Sequence, residues 1–285
     1  MEALVLMVVV GLALGAALWP RWRLRRALAQ PFPPAWDALL RANIPIYPRM
    51  DAELQAQLRR MVQRFLHEKK FVGCEDLVMT DEIRVTIAGQ ACLLLLNRPS
   101  RVYPRLHTVL VYPSAFIASR NEVDAAGVVT AGRQDLLGES WDDGRVVLSW
   151  DHVQRGAHDW TDGQNVVLHE FAHQLDSESG RNNGAPYLGS LSSYRNWADV
   201  LSRDFAALRM DAAYGQPTVM DHYGANSPAE FFAVATETFF EKPYQMAERH
   251  AELFSEFLKY YRVDPRQWLT PPAPVETGFA YGRWQ

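Results

Sequence analysis

Apolar residues recur at three- and four-residue steps over several stretches of this chain, and at alternate or consecutive positions over a few short ones. From Asp51 onward, Leu54, Leu58, Met61, Val62, Phe65 and Leu66 fall on one side of a 3.6-residue period, with Arg59, Arg60, Gln63 and Arg64 between them. That pattern predicts an amphipathic scaffold helix, with His67 at the surface near its end. Thr80, Asp81 and Glu82 read as a helix start, and the mostly apolar residues 83–96 continue it as a buried helix, although Val85, Thr86 and Ile87 would also suit a strand. Residues 107–112 (HTVLVY) and 145–150 (RVVLSW) are short and β-branched. Pro113 bounds the first, the turn signal Asp142, Asp143, Gly144 precedes the second, and both read as strands. Between them, residues 119–144 form a long polar stretch with a possible third strand at Val128, Val129 and Thr130. Further helices are predicted from Ser192 to about Met210, burying Tyr194, Trp197, Leu201, Phe205 and Leu208, and over a segment carrying Met246, Leu253, Phe254, Phe257, Leu258 and Tyr261. His250 in the latter is expected to be solvated. The tail from Pro265 carries Trp268, Phe279, Tyr281 and Trp284, which either pack back on the domain or meet a partner.

The ends of the pattern are different in kind. Residues 3–19 contain no charge, and Arg21, Arg23, Arg25 and Arg26 follow at once, with Trp19 and Trp22 at the boundary. The arginines lie after the apolar run, whereas a cleaved leader carries its positive charge before it. The stretch therefore predicts one N-terminal transmembrane helix, with the arginine side and the bulk of the chain in the cytoplasm at the inner membrane. Pro31, Pro33, Pro34, Pro45 and Pro48 then resist regular structure and read as a tether.

With 285 residues and 48% hydrophobic side chains, the chain can bury a substantial core. A net charge of −4 is too small to suggest a polyanion, so no nucleic-acid partner is expected. Cys74 and Cys92 stand in no metal-like spacing and form no disulfide framework, which suits a reducing compartment.

The chemistry is concentrated in VVLHEFAHQLD, residues 166–176. His169 and His173 are four apart, so on a helix they share a face and can hold one metal ion, with Glu170 beside it. Zinc takes neutral nitrogen donors, keeps an open position for water, and needs a nearby base for the water's proton. Val166, Val167, Leu168, Phe171, Ala172 and Leu175 predict that this helix is buried, and a polar trio in such a helix needs partners. Thr161 and Gln164 stand in capping-box relation before it and Gly180 follows its end. An edge strand near this helix could bind an extended peptide by strand addition.

A catalytic zinc site commonly has a third protein ligand. A histidine three residues past Asp176 would supply it in one class of these enzymes, but Ser179 stands there. A glutamate from a second helix is the other common solution. Ser227 as N-cap, Pro228 at the first position and Glu230 at the third begin such a helix, which continues as FFAVATETFF. Glu230 could also close a capping box on Ser227. Glu230 and Glu237 are seven apart and share a face, so one can bind zinc while the other holds a ligand imidazole. Glu230 is favoured over Glu237 as ligand, with His222 and Asp176 as lesser candidates; Asp176 could instead orient a ligand.

HEFAHQLD, then Tyr223, then NSPAEFFAVATETFF from Asn226 to Phe240, resembles the MtfA family of zinc-dependent peptidases, also described as anti-repressors of the repressor Mlc. The similarity extends from about residue 35 to residue 270, and the layout is similar to the catalytic domain of anthrax lethal factor. The resemblance implies Zn²⁺ held by His169, His173 and Glu230, with Glu170 as the catalytic residue and Tyr223 as a donor to the transition state.

The combined expectation is an α+β, zincin-like metallopeptidase domain, mostly helical with a small mixed sheet. It spans residues 51–270, after a membrane anchor (1–26) and a proline-rich tether (27–50), and before a C-terminal tail (271–285). Its expected activity is hydrolysis of peptide bonds in a peptide or protein substrate, with Glu170 as general base to a zinc-activated water. The rivals are a zinc-containing regulator that binds a transcriptional repressor with little peptidase activity, and a membrane-linked quality-control protease.

Overall fold

The computed structural model describes residues 1–99, 101–114, 116–123, 129–136, 138–141 and 144–272; for residues 116–141 and for most of residues 3–19 it describes backbone only. In the described residues helices dominate, with one four-stranded sheet and a separate two-stranded one. A long first helix, α1 (Glu2–Leu28), is followed by α2 (Pro34–Asn43), α3 (Ala52–Glu68), β1 (Lys70–Gly73), α4 (Asp81–Leu93) and β2 (Thr108–Tyr112). Next come β3 (Phe116–Val123), β4 (Val129–Leu136), β5 (Gly138–Trp141), β6 (Arg145–Ser149) and α5 (Trp150–His158). The C-terminal half is α6 (Val166–Asp176), α7 (Leu191–Tyr214), α8 (Pro228–Glu241), α9 (Pro243–Arg249) and α10 (Ala251–Tyr261).

The sheet order is β1-β2-β6-β5. β1, β2 and β6 are parallel, with Lys70 opposite Thr108 and Thr108 opposite Arg145, while β5 runs antiparallel to β6 at the edge. Parallel neighbours need crossovers, and α4 supplies the one from β1 to β2. In β2 the buried positions alternate, Val109 and Val111, whereas β6 buries Val146, Val147, Leu148 and Ser149 in succession. One face of β2 and both faces of β6 are therefore covered.

The helix starts follow their capping residues. Asp51 accepts the Leu54 N–H and Thr80 the Ile83 N–H, so α3 and α4 begin where the polar pattern predicts. Leu54, Leu58, Val62 and Phe65 of α3 are buried, and nearly all of α4 beyond its first turn is buried too. A buried helix has no solvent side, and the continuous apolar run of α4, Val85 to Ile87 included, reflects this. Phe65, Tyr103 and Phe171 pack with ring centroids 4.8–6.1 Å apart, Tyr103 edge to face with both phenylalanines, joining α3 to α6. On the other side Trp197, Phe232, Phe239, Phe257 and Tyr261 tie α7, α8 and α10 together.

Several expectations are corrected. The proline-rich segment is no tether in its second half: α2 and a 3₁₀ turn (Tyr47–Arg49) place Leu40, Ile44, Ile46 and Tyr47 in the core. Pro34 starts α2 rather than breaking it, because a first-turn N–H has no helical partner to lose. The possible third strand at Val128, Val129 and Thr130 is found in part: Val129 and Thr130 open β4, which pairs antiparallel with β3 over eight positions, β5 joins the main sheet, and Val128 lies outside the described residues. Trp150 opens α5 instead of ending β6. His250 is bound rather than solvated, with Nδ1 2.7 Å from Asp204 Oδ1. Trp268 packs into the core, while Phe279, Tyr281 and Trp284 lie outside the described residues. Both cysteines are free.

α1 continues through Pro20 to Leu28, and its end is held by Gln63, whose amide donates to the Ala27 and Gln30 carbonyls. Among the described residues no helix is long and apolar enough to cross a membrane. Most side chains of the predicted span, residues 3–19, lie outside the described residues.

One glycine fixes how the loop after α6 meets α8. Gly184 has φ of 76°, its N–H donates to Asp176 Oδ2 at 2.6 Å, and its carbonyl accepts from the Trp197 indole at 2.8 Å. A Cβ at this position would run into the Pro228 carbonyl at the start of α8. Replacing Gly184 by Ala adds left-handed strain and a backbone clash, and is expected to cost about 2–4 kcal/mol, read as a lowered midpoint in urea unfolding.

Candidate metal centre

α6 carries the two histidines, and its start explains how it is held. Asn165, not Thr161, is the N-cap: its Oδ1 accepts from the Val167 and Leu168 N–H groups at 3.1 and 3.0 Å. Thr161 and Gln164 instead bond to Asp159 and Asp162 within the preceding turns. The Asn165 side-chain amide also donates to the Gly156 carbonyl and, at 3.0 Å, to Glu241 Oε1 at the far end of α8. At the other end of α6, one 3₁₀ turn (Ser177–Ser179) leads to Gly180 at φ 92°.

α8 starts as its sequence predicts, with Ser227 Oγ accepting the Glu230 N–H. The Glu230 carboxylate does not turn back on that cap but faces α6, with Oε2 3.0 Å from His169 Nε2 and 3.4 Å from His173 Nε2. The two Nε2 atoms are 3.3 Å apart. His169, His173 and Glu230 are the described residues that together could hold a metal ion. Of the lesser candidates, His222 bonds through Nε2 to the Gln216 carbonyl, and Asp176 to Gly184.

These three distances test whether a cation fits. Donors bound at about 2.0–2.1 Å to one tetrahedral ion are about 3.3–3.4 Å apart, so the triangle of 3.0, 3.3 and 3.4 Å matches one face of such a tetrahedron. Two imidazole nitrogens and a carboxylate oxygen suit a divalent metal of intermediate softness. A neutral imidazole whose Nδ1 carries the proton has a lone pair on Nε2, and a cation in this triangle would take the Nε2 lone pairs of both rings.

Glu237, one face-repeat along α8, accepts from His169 Nδ1 at 3.1 Å. This bond fixes the tautomer that directs Nε2 toward Glu230. The local field is negative. Burial opposes a charge on His169, but Glu237, Glu230 and Glu170 raise its pKa well above the usual imidazole value. Glu230 is also desolvated, yet the two histidines pull its carboxyl well below the usual range. Glu237, fully enclosed, is raised by burial despite His169. A cluster with this imbalance favours a positive ion at its centre.

Glu170 is buried on α6 beside this cluster. Tyr223 sits on a 3₁₀ turn (His222–Ala225) just before α8, half exposed, with its ring 5.9 Å from that of His169. Asp176 does not bond to His173. It holds the Gly184 N–H, and burial pushes its carboxyl up to about 6. Sequence reasoning missed Asn165 and Glu241. Both were accessible: Asn165 directly precedes the apolar run, and Glu241 follows Glu237 by four residues on the same face of α8.

Comparison with known proteins agrees with this geometry. Residues 19–262 match the family model described as glucose-regulated metallo-peptidase M90. An uncharacterized protein of Synechocystis sp. is 40% identical over 267 residues, covering 92% of this chain and 97% of its own. Mlc titration factor A of Pectobacterium atrosepticum is 34% identical over 233 residues, covering 81% and 86% of the two chains. The protein of that name from Yersinia pestis is 30% identical over 247 residues, covering 86% and 89%. The His169, His173 and Glu230 cluster built from α6 and α8 and the span of these matches lead to one assignment: the chain belongs to the M90 family of metallopeptidases, the family of Mlc titration factor A.

Proposed function

We propose that this protein is a zinc-dependent peptidase in which His169, His173 and Glu230 hold the metal and Glu170 moves the proton. The observation that carries this reading is the 3.0–3.4 Å triangle of donor atoms with a buried carboxylate on the same helix. Bound zinc supplies Lewis acidity, polarising the scissile carbonyl and making water a better nucleophile near neutral pH. Glu170 takes the proton of the attacking water and returns it to the leaving amine. Glu237 keeps His169 in one tautomer, and Asn165 and Glu241 keep α6 in register with α8. The Tyr223 hydroxyl, at the exposed side of the cluster, donates to the oxyanion. β5, an edge strand of the four-stranded sheet among the described residues, runs beside α6 and is placed to pair with an extended peptide, which suits a peptide or protein substrate.

A second reading is favoured by the relatives' name, Mlc titration factor A: a zinc-containing protein that binds a transcriptional repressor, with slight peptidase activity. Membrane attachment is a further part of the proposal. The uncharged residues 3–19 and the arginine flank support one span at the inner membrane with the catalytic domain in the cytoplasm, and Trp19 and Trp22 stack at its boundary, 5.2 Å apart.

Metal analysis of the purified protein is expected to give one zinc per chain. Glu230→Gln should lose most of it, whereas Glu237→Gln should retain binding with affinity lowered about 10–100-fold. Equal retention in both variants would remove Glu230 from the ligand set. Glu170→Gln should keep zinc and lower peptide cleavage by about 10²-fold or more; if the cellular effect survives in that variant, the regulatory reading is the correct one. Full-length protein is expected to sediment with membranes and residues 27–285 to stay in the supernatant with peptide cleavage intact. Equal partitioning of the two would rule out the anchor.

A further inference from the structure

A cavity of about 760 Å³ lies between the loop after α4, the end of α10 and the start of α7, and none of the three candidate metal ligands lines it. Its walls carry five cationic side chains, Arg98, Arg101, Arg105, Lys259 and Arg262, against two acidic ones, Glu178 and Glu256. Glu256 is already paired with Lys259 at 2.7 Å. Glu178 is only a distant partner of Arg98, at 3.9 Å. The wall thus has a surplus of positive charge, and low-dielectric surroundings strengthen its field.

Arg98 is the deepest of these cations, with a side chain only 7% exposed. Its guanidinium lies over the Tyr260 ring at 4.2 Å, and its Nη1 makes no hydrogen bond to the protein. A buried guanidinium nitrogen without an acceptor is costly, and an anionic ligand is the natural group to repay that cost. The first turn of α7 adds to this field. Ser192 and Ser193 on that turn line the cavity, and the turn contains no acidic residue. The N-terminus of a 24-residue helix presents backbone N–H groups and a positive dipole end to an anion.

Arg262 is held in a strained conformation. It ends α10 with φ of 58°, a left-handed cap that glycine occupies at no steric cost and arginine does not. Such a conformation is held by the surrounding structure, and the Arg262 side chain lines the cavity.

We infer that this cavity is a binding site for a small organic or inorganic oxyanion, a phosphate or carboxylate group, engaged by Arg98, Arg101 and Arg262 at the start of α7. The volume suits a small molecule rather than a protein segment. The site is independent of the metal-centre reading, since it uses none of those residues.

Calorimetric titration of the full-length protein with inorganic phosphate and, separately, with citrate tests this. At least one probe should bind saturably and more weakly at higher salt. Phosphate alone binding would mark a phosphoryl ligand, citrate alone a carboxylate, and both a general oxyanion site. Arg101→Ala and Arg262→Gly should each weaken binding about 10-fold. Arg262→Gly is informative about folding as well, because glycine suits the cap and should leave the melting temperature unchanged or raised. Absence of saturable binding of both probes, or equal binding by wild type and both variants, would overturn the assignment.

Discussion

Everything at the candidate metal centre depends on how two helices, α6 and α8, are clamped against each other. Glu230 meets His169 and His173, Glu237 meets His169 from its other nitrogen, and Glu241 meets the Asn165 cap. These contacts run along one face of α8 because the three glutamates are spaced seven and four residues apart. Placing three carboxylates in a largely buried interface is unfavourable by itself. Each is offset by a specific polar partner on or just before α6, so a slip of either helix would unpair all of them together. The clamp therefore selects one relative position of α6 and α8, the one in which the donor triangle forms.

The rest of the molecule holds that clamp in place. The Phe65, Tyr103 and Phe171 cluster backs α6 from one side, and the aromatic group of α7, α8 and α10 backs α8 from the other. Gly184 closes the remaining gap, joining the end of α6 through Asp176 to the start of α8 and to Trp197 of α7. Rigid packing on both sides matters for catalysis, because a hydrolytic site works only when proton carrier, donors and substrate stay within a fraction of an ångström of their productive arrangement. The charged cavity near α10 lies outside this frame, yet Glu178 on its wall belongs to the short turn that directly continues α6.

Much of the local structure could be read from residue order. α3 and α4 start at Asp51 and Thr80 as their polar residues indicate, and α8 starts at Ser227. Errors arose where two local signals compete. Prolines 34, 45 and 48 suggested irregular chain, but a proline in the first turn of a helix costs nothing, and Leu40, Ile44 and Tyr47 had a core to enter. Thr161 and Gln164 fit a capping-box spacing, but Asn165 stood one residue before the helix and formed the cap. The β3–β4 pair was legible only at Val129 and Thr130, because a largely polar stretch leaves little apolar periodicity to mark its strands.

Residue order alone determined the shared face of His169 and His173, the adjacent Glu170, and the equivalent spacing of Glu230 and Glu237, because helical periodicity is a local property. It favoured Glu230 over Glu237 for the open side of the imidazoles but did not by itself fix the choice. That depended on the depth and register of α8 against α6, set by Asn165, Glu241 and Gly184 at separations of up to 76 residues. The cationic cavity was equally hidden, since Arg98, Arg101 and Arg262 are neighbours only after α10 folds back over the loop following α4. Spacing along a helix is written in the chain, but convergence between helices is decided by long-range packing and by the partners that buried charges find.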